Sequence, residues 1–172
     1  KEGTYTELLI ISNLPGSQTD RTVIQAYPGH HVVIQGNSDP IQGVTTGRIR
    51  IRSSDYLTFK GFEVRHMNQG IFVEDDSDFV VIQECTVHYV GQEAIAVHGN
   101  SDNVTVEDCT IYDTRKWKYN GEGIYIGTGS AGPSDNTSFI TVRNNTLYNI
   151  YDEAIELKAG THDCVVEGNI IY

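Results

Sequence analysis

The stretch Gln92–Tyr112, QEAIAVHGNSDNVTVEDCTIY, is written a second time at Asp152–Tyr172 as DEAIELKAGTHDCVVEGNIIY. The copies share E-A-I-x-[VL], a polar turn, and a second apolar run ending in Ile-Tyr. The pattern reaches beyond both. One inward column falls at Leu57, Val80, Val104, Ile140 and Cys164, at intervals of 23, 24, 36 and 24 residues. Three more keep its register: Phe59, Ile82, Val106, Val142 and Val166; Phe62, Cys85, Cys109, Asn145 and Asn169; Val64, Val87, Ile111, Leu147 and Ile171. A second strand recurs as GIFVE from Gly70, AIAVH from Ala94, GIYIG from Gly123 and AIELK from Ala154. Each strand alternates with period two and is too short to bury its own face. Short strands repeating at about 24 residues predict an all-β parallel solenoid, a β-helix in which each coil covers the next.

Equivalent residues in stacked coils form ladders ~4.8 Å apart. Asn145 then lies over Asn169, where side-chain amides can satisfy backbone groups from coil to coil. Cys85 lies over Cys109, and the pair reads as two buried free thiols, with a bridge as the alternative. The N-terminal third follows the same logic less regularly, with LLII, RTVIQAYPG, HHVVIQG and RIRIRS as short strands between Gly, Pro and Asp turns.

The 172 residues suffice for one domain, 1–172, with a real core. Both ends read as interrupted strands, KEGTYTELLII and EGNIIY, so a longer parent chain is expected. No apolar run approaches a membrane span. A net charge of −11 argues against nucleic acid as partner, because a phosphate backbone needs a basic face. A polyanion stays open where metal ions or a local basic patch intervene. The three cysteines show no C-x-x-C spacing, hence neither a zinc signature nor a disulfide framework.

The run GTYTELLIISNLPGSQTDRTVIQAYPGHHVVIQG, followed by strands such as YLTFKGFEV and EGNIIY, resembles the right-handed parallel β-helix of the pectate-lyase-like superfamily. The likeness covers nearly the whole chain. It implies an extracellular or periplasmic location and leaves function open, since that fold hosts lyases, hydrolases, epimerases, adhesins and scaffolds.

The 36-residue interval holds two insertions, five residues around Thr114–Glu122 and seven around Thr128–Asn136. Both flank the strand GIYIG, and such loops commonly build a solenoid's binding site. The first carries Arg115, Lys116, Trp117, Lys118 and Tyr119, three cations around the only tryptophan. Aromatic faces stack on sugar rings and cations pair with uronate carboxylates or sulfates. A solvated loop is the plainer alternative.

Alternation sends two rows of the second strand outward: Phe72, Ala96, Tyr125 and Glu156, then Glu74, His98, Gly127 and Lys158. A third row, Gln69, Glu93, Glu122 and Glu153, stands at the preceding turn. Stacked glutamates repel by roughly 1 kcal/mol per adjacent pair in water, unless they splay into solvent or share a cation. Ca²⁺ suits oxygen ligands, and Asn120 and Asp152 stand nearby. The acidic run Glu74–Asp78 reads as a turn.

EAIELK is similar to the Glu-x-x-x-x-Lys strand of the alginate lyase/chondroitinase B-like polysaccharide lyases. The resemblance implies Glu153 as a Ca²⁺ ligand, Lys158 as general base and Asn120 near the family's metal asparagine. Tyr151 stands where the family has another metal carboxylate, and the family's catalytic arginine would fall beyond Tyr172. A free lysine titrates near ~10.4, so a base at neutral pH needs a neighbouring cation or desolvation. Glu153 and Glu156 push the other way unless a metal neutralises them. The expectation is an acidic-polysaccharide lyase acting by Ca²⁺-assisted β-elimination. Lys158 is its base, Tyr125 or His98 its proton donor, and Asn120, Glu122 and Glu153 its metal ligands. Arg115, Lys116, Trp117, Tyr119 and Glu156 are placed against the sugar. The rivals are a non-catalytic carbohydrate-binding or surface scaffold, and a glycoside hydrolase using two carboxyls such as Glu122 and Glu156.

Overall fold

The computed structural model describes residues 1–36, 47–114, 120–129 and 135–172. Its regular elements are all strands, and among the described residues no helix is long and apolar enough to cross a membrane. Successive strands visit three sheets in turn, so neighbours within a sheet are always three strands apart in the chain. The first sheet holds Gly3–Tyr5, Val32–Gln35, Glu63–Arg65, Thr86–His88, Thr110–Tyr112, Thr146–Tyr148 and Ile170–Ile171. The second holds Ile10–Ser12, Ile49–Arg52, Ile71–Glu74, Ile95–Val97, Ile124–Ile126 and Ile155–Leu157. The third holds Thr22–Gln25, Leu57–Lys60, Val81–Gln83, Thr105–Glu107, Thr141–Arg143 and Val165–Glu167. Every pairing between these strands is parallel. The chain is a parallel β-helix with three faces.

The expected register is the observed one. Phe59, Ile82, Val106, Val142 and Val166 are paired in sequence, and so are Val64, Val87, Ile111, Leu147 and Ile171. The first sheet steps by 24 residues from Thr86 to Thr110 and by 36 from Thr110 to Thr146. The second steps by 29 from Ile95 to Ile124 and by 31 from Ile124 to Ile155. The insertions therefore enter on either side of Ile124–Ile126, and both border the second sheet. Arg115, Lys116, Trp117 and Tyr119 lie outside the described residues.

Inward residues of all three sheets make one core. Ile51, Phe59, Val64, Ile82, Ile95, Val106 and Ile111 are 0% exposed. The same columns open in the last coil, where Val166 is 46% and Ile171 55% exposed. Burial of a solenoid strand is set by the coil beside it.

Polar ladders hold the corners. Cys85 and Cys109 are free and buried, and below them Asn145 Oδ1 accepts the Cys109 N–H at 2.9 Å while Asn169 Oδ1 accepts the Asn145 N–H at 2.9 Å. A second ladder was missed in the sequence. Ser54 and Ser77 donate their N–H groups to the hydroxyls of Ser77 and Ser101 in the next coil. Asp55, Asp78 and Asp102 accept N–H groups from Asp78, Asp102 and Ser138. Its signal was the Ser-Asp dipeptide recurring before three successive third-sheet strands, Leu57–Lys60, Val81–Gln83 and Thr105–Glu107. The bend between the third and first sheets is one left-handed residue per coil, at Gly61, Glu84, Asp108, Asn144 and Gly168. That tight bend lets three-residue strands follow one another.

Candidate active site

The site grows from the outward side of the second sheet. Register places Arg50, Phe72, Ala96, Tyr125 and Glu156 in one row. The slot at the strand ends holds Glu74, His98, Gly127 and Lys158, as alternation required. Outward does not mean solvated on this face. Phe72 is 4% exposed, Ala96 0%, Glu74 3%, Glu93 7% and Glu122 4%. Of the three glutamates in the turn row only Glu153 is exposed.

Three carboxylates converge there. One oxygen from each of Glu122, Glu153 and Glu156 lies within 4.8 Å of the other two. Glu122 Oε2 accepts the Gly121 N–H at 2.8 Å. Burial nonetheless pushes the Glu122 carboxyl above the usual carboxylate range, and the charges of Glu93 and Glu156 add to the rise. Glu156 Oε1 accepts a hydrogen bond from Lys158 Nζ. Its other oxygen, Oε2, is buried without a partner among the described residues. Glu156 was expected to face sugar; it belongs geometrically with the acidic group.

Lys158 Nζ lies 5.1 Å from the centroid of the Tyr125 ring. Its hydrogen bond to Glu156 raises its pKa above the ordinary lysine value, the direction the same-strand glutamates required. Burial pushes the Tyr125 phenol up as well, against the opposing influence of Lys158 and a backbone hydrogen bond from Gly129. Gly129 packs close to both, since a Cβ there would stand 2.8 Å from the Tyr125 hydroxyl and 3.5 Å from Lys158 Cε and would have to displace the Tyr125 hydroxyl. The second insertion thus begins with backbone pressed against the Tyr125–Lys158 pair.

The other expected residues lie farther off. Asn120 Nδ2 donates to Glu93 Oε1 at 3.2 Å, and Gln69 Nε2 donates to Glu93 Oε2 at 2.9 Å, so both oxygens of Glu93 are engaged away from the acidic trio. His98 packs edge-on against Phe72, with ring centroids 5.5 Å apart, and its Nε2 lies 3.7 Å from Glu74 Oε2. Two coils, or ~10 Å at one strand spacing each, separate its slot from that of Lys158. Glu74 also pairs with Arg50. Arg48 rests on the Phe72 ring at 4.9 Å and donates to Gln69 Oε1 at 2.7 Å. These arginines went unnoticed inside RIRIRS, although three cations at alternate positions of an acidic chain were the available signal.

The acidic trio fits a hard divalent cation. Its donors are all oxygens, one of them buried and unpaired, and Ca²⁺ accepts carboxylates in flexible geometry.

Residues 4–171 match the family described as right handed beta helix region. No curated protein sequence matches the chain. Among solved structures, an alginate lyase from Paenibacillus sp. str. FPU-7 superposes with a TM-score of 0.73 at 17% identity, over 98% of this chain. The chain spans 66% of that enzyme's length. The pectate lyase Pel9A superposes with a TM-score of 0.48 at 15% identity, over 100% of this chain and 67% of its own. At 17% identity the likeness to the alginate lyase is one of fold.

Proposed function

The chain belongs to the right-handed β-helix family, and on that scaffold we propose that it is an acidic-polysaccharide lyase working by β-elimination at Tyr125 and Lys158. One observation carries the reading. A lysine amine stands 5.1 Å from a tyrosine ring, beside three converging carboxylates, on the face that both insertions border. The fold likeness to an alginate lyase makes alginate the first polymer to test. A polymer of that size is met outside the cytoplasm, so an extracellular or periplasmic site of action goes with the proposal.

In the elimination, neutral Lys158 takes at Nζ the proton α to the uronate carboxylate. The electron pair left behind forms the new carbon–carbon double bond, and the glycosidic carbon–oxygen bond breaks. The leaving oxygen receives its proton from Tyr125 Oη. Burial that keeps the Tyr125 phenol protonated suits it to donate. Glu156 by itself raises the Lys158 pKa, and Ca²⁺ on the glutamates would oppose that rise and favour the neutral amine. Glu122, Glu153 and Glu156 would hold Ca²⁺, which when bound supplies positive charge against the sugar carboxylate. His98, held by Glu74 two coils away, is the weaker proton-donor candidate.

The test is incubation with alginate, pectate and chondroitin sulfate, following the ultraviolet absorbance of the conjugated unsaturated uronate. Absorbance that disappears in Lys158→Ala and Tyr125→Phe is the expected result. Reducing ends without absorbance would replace the lyase with a hydrolase built on Glu122 and Glu156, whose oxygens lie within 4.8 Å, near the separation used by retaining enzymes. Neither product would leave a binding scaffold.

A further inference from the structure

A second polar constellation lies on the same face, toward the N-terminal end. A cleft of about 400 Å³ there is lined by Arg48, Arg50, Asn68, Gln69, Leu8 and Ile10. The charge of Arg50 is taken by the buried Glu74. Arg48 differs: its guanidinium rests on Phe72 at 4.9 Å and gives one N–H to the neutral Gln69 Oε1 at 2.7 Å. It makes no ion pair among the described residues, and its remaining donors are fixed in direction before any ligand arrives. Guanidinium held in this way recognises carboxylate by paired hydrogen bonds.

Asn68 supplies the complementary group. Its Nδ2 donates to Gln92 Oε1 at 3.1 Å, while its Oδ1 is buried with no partner among the described residues. A buried acceptor left unpaired is costly and calls for a donor. A hydroxyl meets that need and a carboxylate does not. One apolar wall, Leu8 and Ile10, completes the cleft. A pinned cation, an orphaned acceptor and an apolar wall together match one chemical unit, a uronate residue, which carries a carboxylate, hydroxyls and an apolar ring face.

We infer that Arg48, Asn68 and Gln69 form a subsite for a uronate residue of the polymer, upstream of the Tyr125–Lys158 pair. The inference rests on the lyase reading of this face and deepens it. Arg48 precedes Ile49, and the register carries Ile49 to Ile71, Ile95 and Ile124 in successive coils. Three strand spacings, ~14 Å, therefore separate the subsite from Tyr125. A 1,4-linked pyranose advances by about one strand spacing, ~5 Å, so the subsite engages a sugar three units from the reacting linkage. A hydrogen-bonded rail joins the two places, from Arg48 through Gln69 and Glu93 to Asn120.

The experiment is calorimetric titration with a uronate hexasaccharide and with the same hexasaccharide after reduction of its carboxyls to hydroxymethyl groups. Lys158→Ala serves as background, so that ligand is not consumed. Arg48→Ala should weaken the uronate hexasaccharide roughly 10- to 100-fold, the worth of a charge-assisted hydrogen-bond pair. It should leave the reduced sugar unaffected. Arg143→Ala, which removes an exposed cation of the third sheet, should change neither. Unchanged affinity in Arg48→Ala, an equal loss in Arg143→Ala, or no uronate binding at all overturns the subsite. If Arg48→Ala does not fold, Arg48→Gln and the comparison of acid with reduced ligand on the parent protein decide the matter. Arg48-dependent binding by a protein that makes no unsaturated product would keep the subsite and discard the lyase. Product formation with Arg48-independent binding would do the reverse.

Discussion

Replacing Asn145 with alanine tests the corner ladder that the repeat predicts. Asn145 is 0% exposed. Its Oδ1 accepts the Cys109 N–H at 2.9 Å, and its Nδ2 donates to the Val106 carbonyl at 3.0 Å and to Asn169 Oδ1 at 3.0 Å. Alanine orphans a buried N–H, at ~1–3 kcal/mol, and deletes two further hydrogen bonds worth ~1 kcal/mol each. The sum is about 4 kcal/mol, a large share of a domain's ~5–15 kcal/mol. At ~2–4 °C per kcal/mol for a chain of this size, the melting temperature should fall by about 10 °C. Asn145→Cys restores the residue found in the same column one and two coils earlier. There the thiols of Cys85 and Cys109 reach Phe59 O and Ile82 O at 3.8 Å, so cysteine should recover part of the loss. Asn169→Ala should also destabilise, since Asn169 Oδ1 accepts the Asn145 N–H at 2.9 Å. Urea unfolding followed by far-ultraviolet circular dichroism, with slopes compared across variants, measures the differences. A loss below ~1 kcal/mol for Asn145→Ala, or equal losses for alanine and cysteine, would refute the ladder as a source of stability.

Four further outcomes are expected. Val106→Asp should destabilise by more than ~4 kcal/mol by burying an unpaired charge, while Thr105→Asp, its outward neighbour, should cost under ~1 kcal/mol in the same melts. Lys158→Ala should lower turnover by roughly 10²–10⁴-fold in a protein that still folds, with some loss of stability because Glu156 loses its cation, and activity of the parent enzyme should climb as pH rises and Lys158 gives up its proton. Calcium at about 100 times its dissociation constant should stabilise by ~2.7 kcal/mol; Glu153→Gln and Glu156→Gln should shrink that shift in a thermal melt. Burial raises the Asp135 carboxyl, but hydrogen bonds from Thr137, Asn100 and Gly99 outweigh it and hold the pKa below the ordinary value. Its contribution is therefore present above the unfolded pKa and lost as pH falls through the folded one, so Asp135→Asn should flatten the acid limb of the stability profile.

What could be read from the sequence was whatever repeats. Columns such as Phe59, Ile82, Val106, Val142 and Val166 are legible because each coil imposes the same inward slot on the next. The insertions were legible as departures from that count. The burial of Glu74 and Glu93 was not, because period two tells inward from outward but not outward from uncovered. Nor was the grouping of Glu122 and Glu153 with Glu156 in place of Asn120. That grouping depends on how side chains lean across coils, and Asn120 instead meets Glu93. The Ser-Asp ladder is present in the letters but is not legible from periodicity, because its residues are polar and only apolar columns mark the inward slots.

The same logic bears on where the proposed site lies. In the first sheet one outward row reads Thr86, Thr110 and Thr146 in successive coils, and the other ends His88, Tyr112, Tyr148 and Tyr172, with rings stacked at 4.5, 4.8 and 5.3 Å. Those rows repeat because like side chains stack well when one coil copies another. On the second sheet the outward row is Arg50, Phe72, Ala96, Tyr125 and Glu156, with no two alike, and the slot beside it runs Glu74, His98, Gly127 and Lys158. The backbone there is as regular as elsewhere, so the solenoid does not dictate these choices. Like carboxylates brought together, as Glu122, Glu153 and Glu156 are, oppose folding rather than favour it. This face brings three carboxylates together against that repulsion and lies between the two insertions in the chain, and on these grounds the proposed site is placed there.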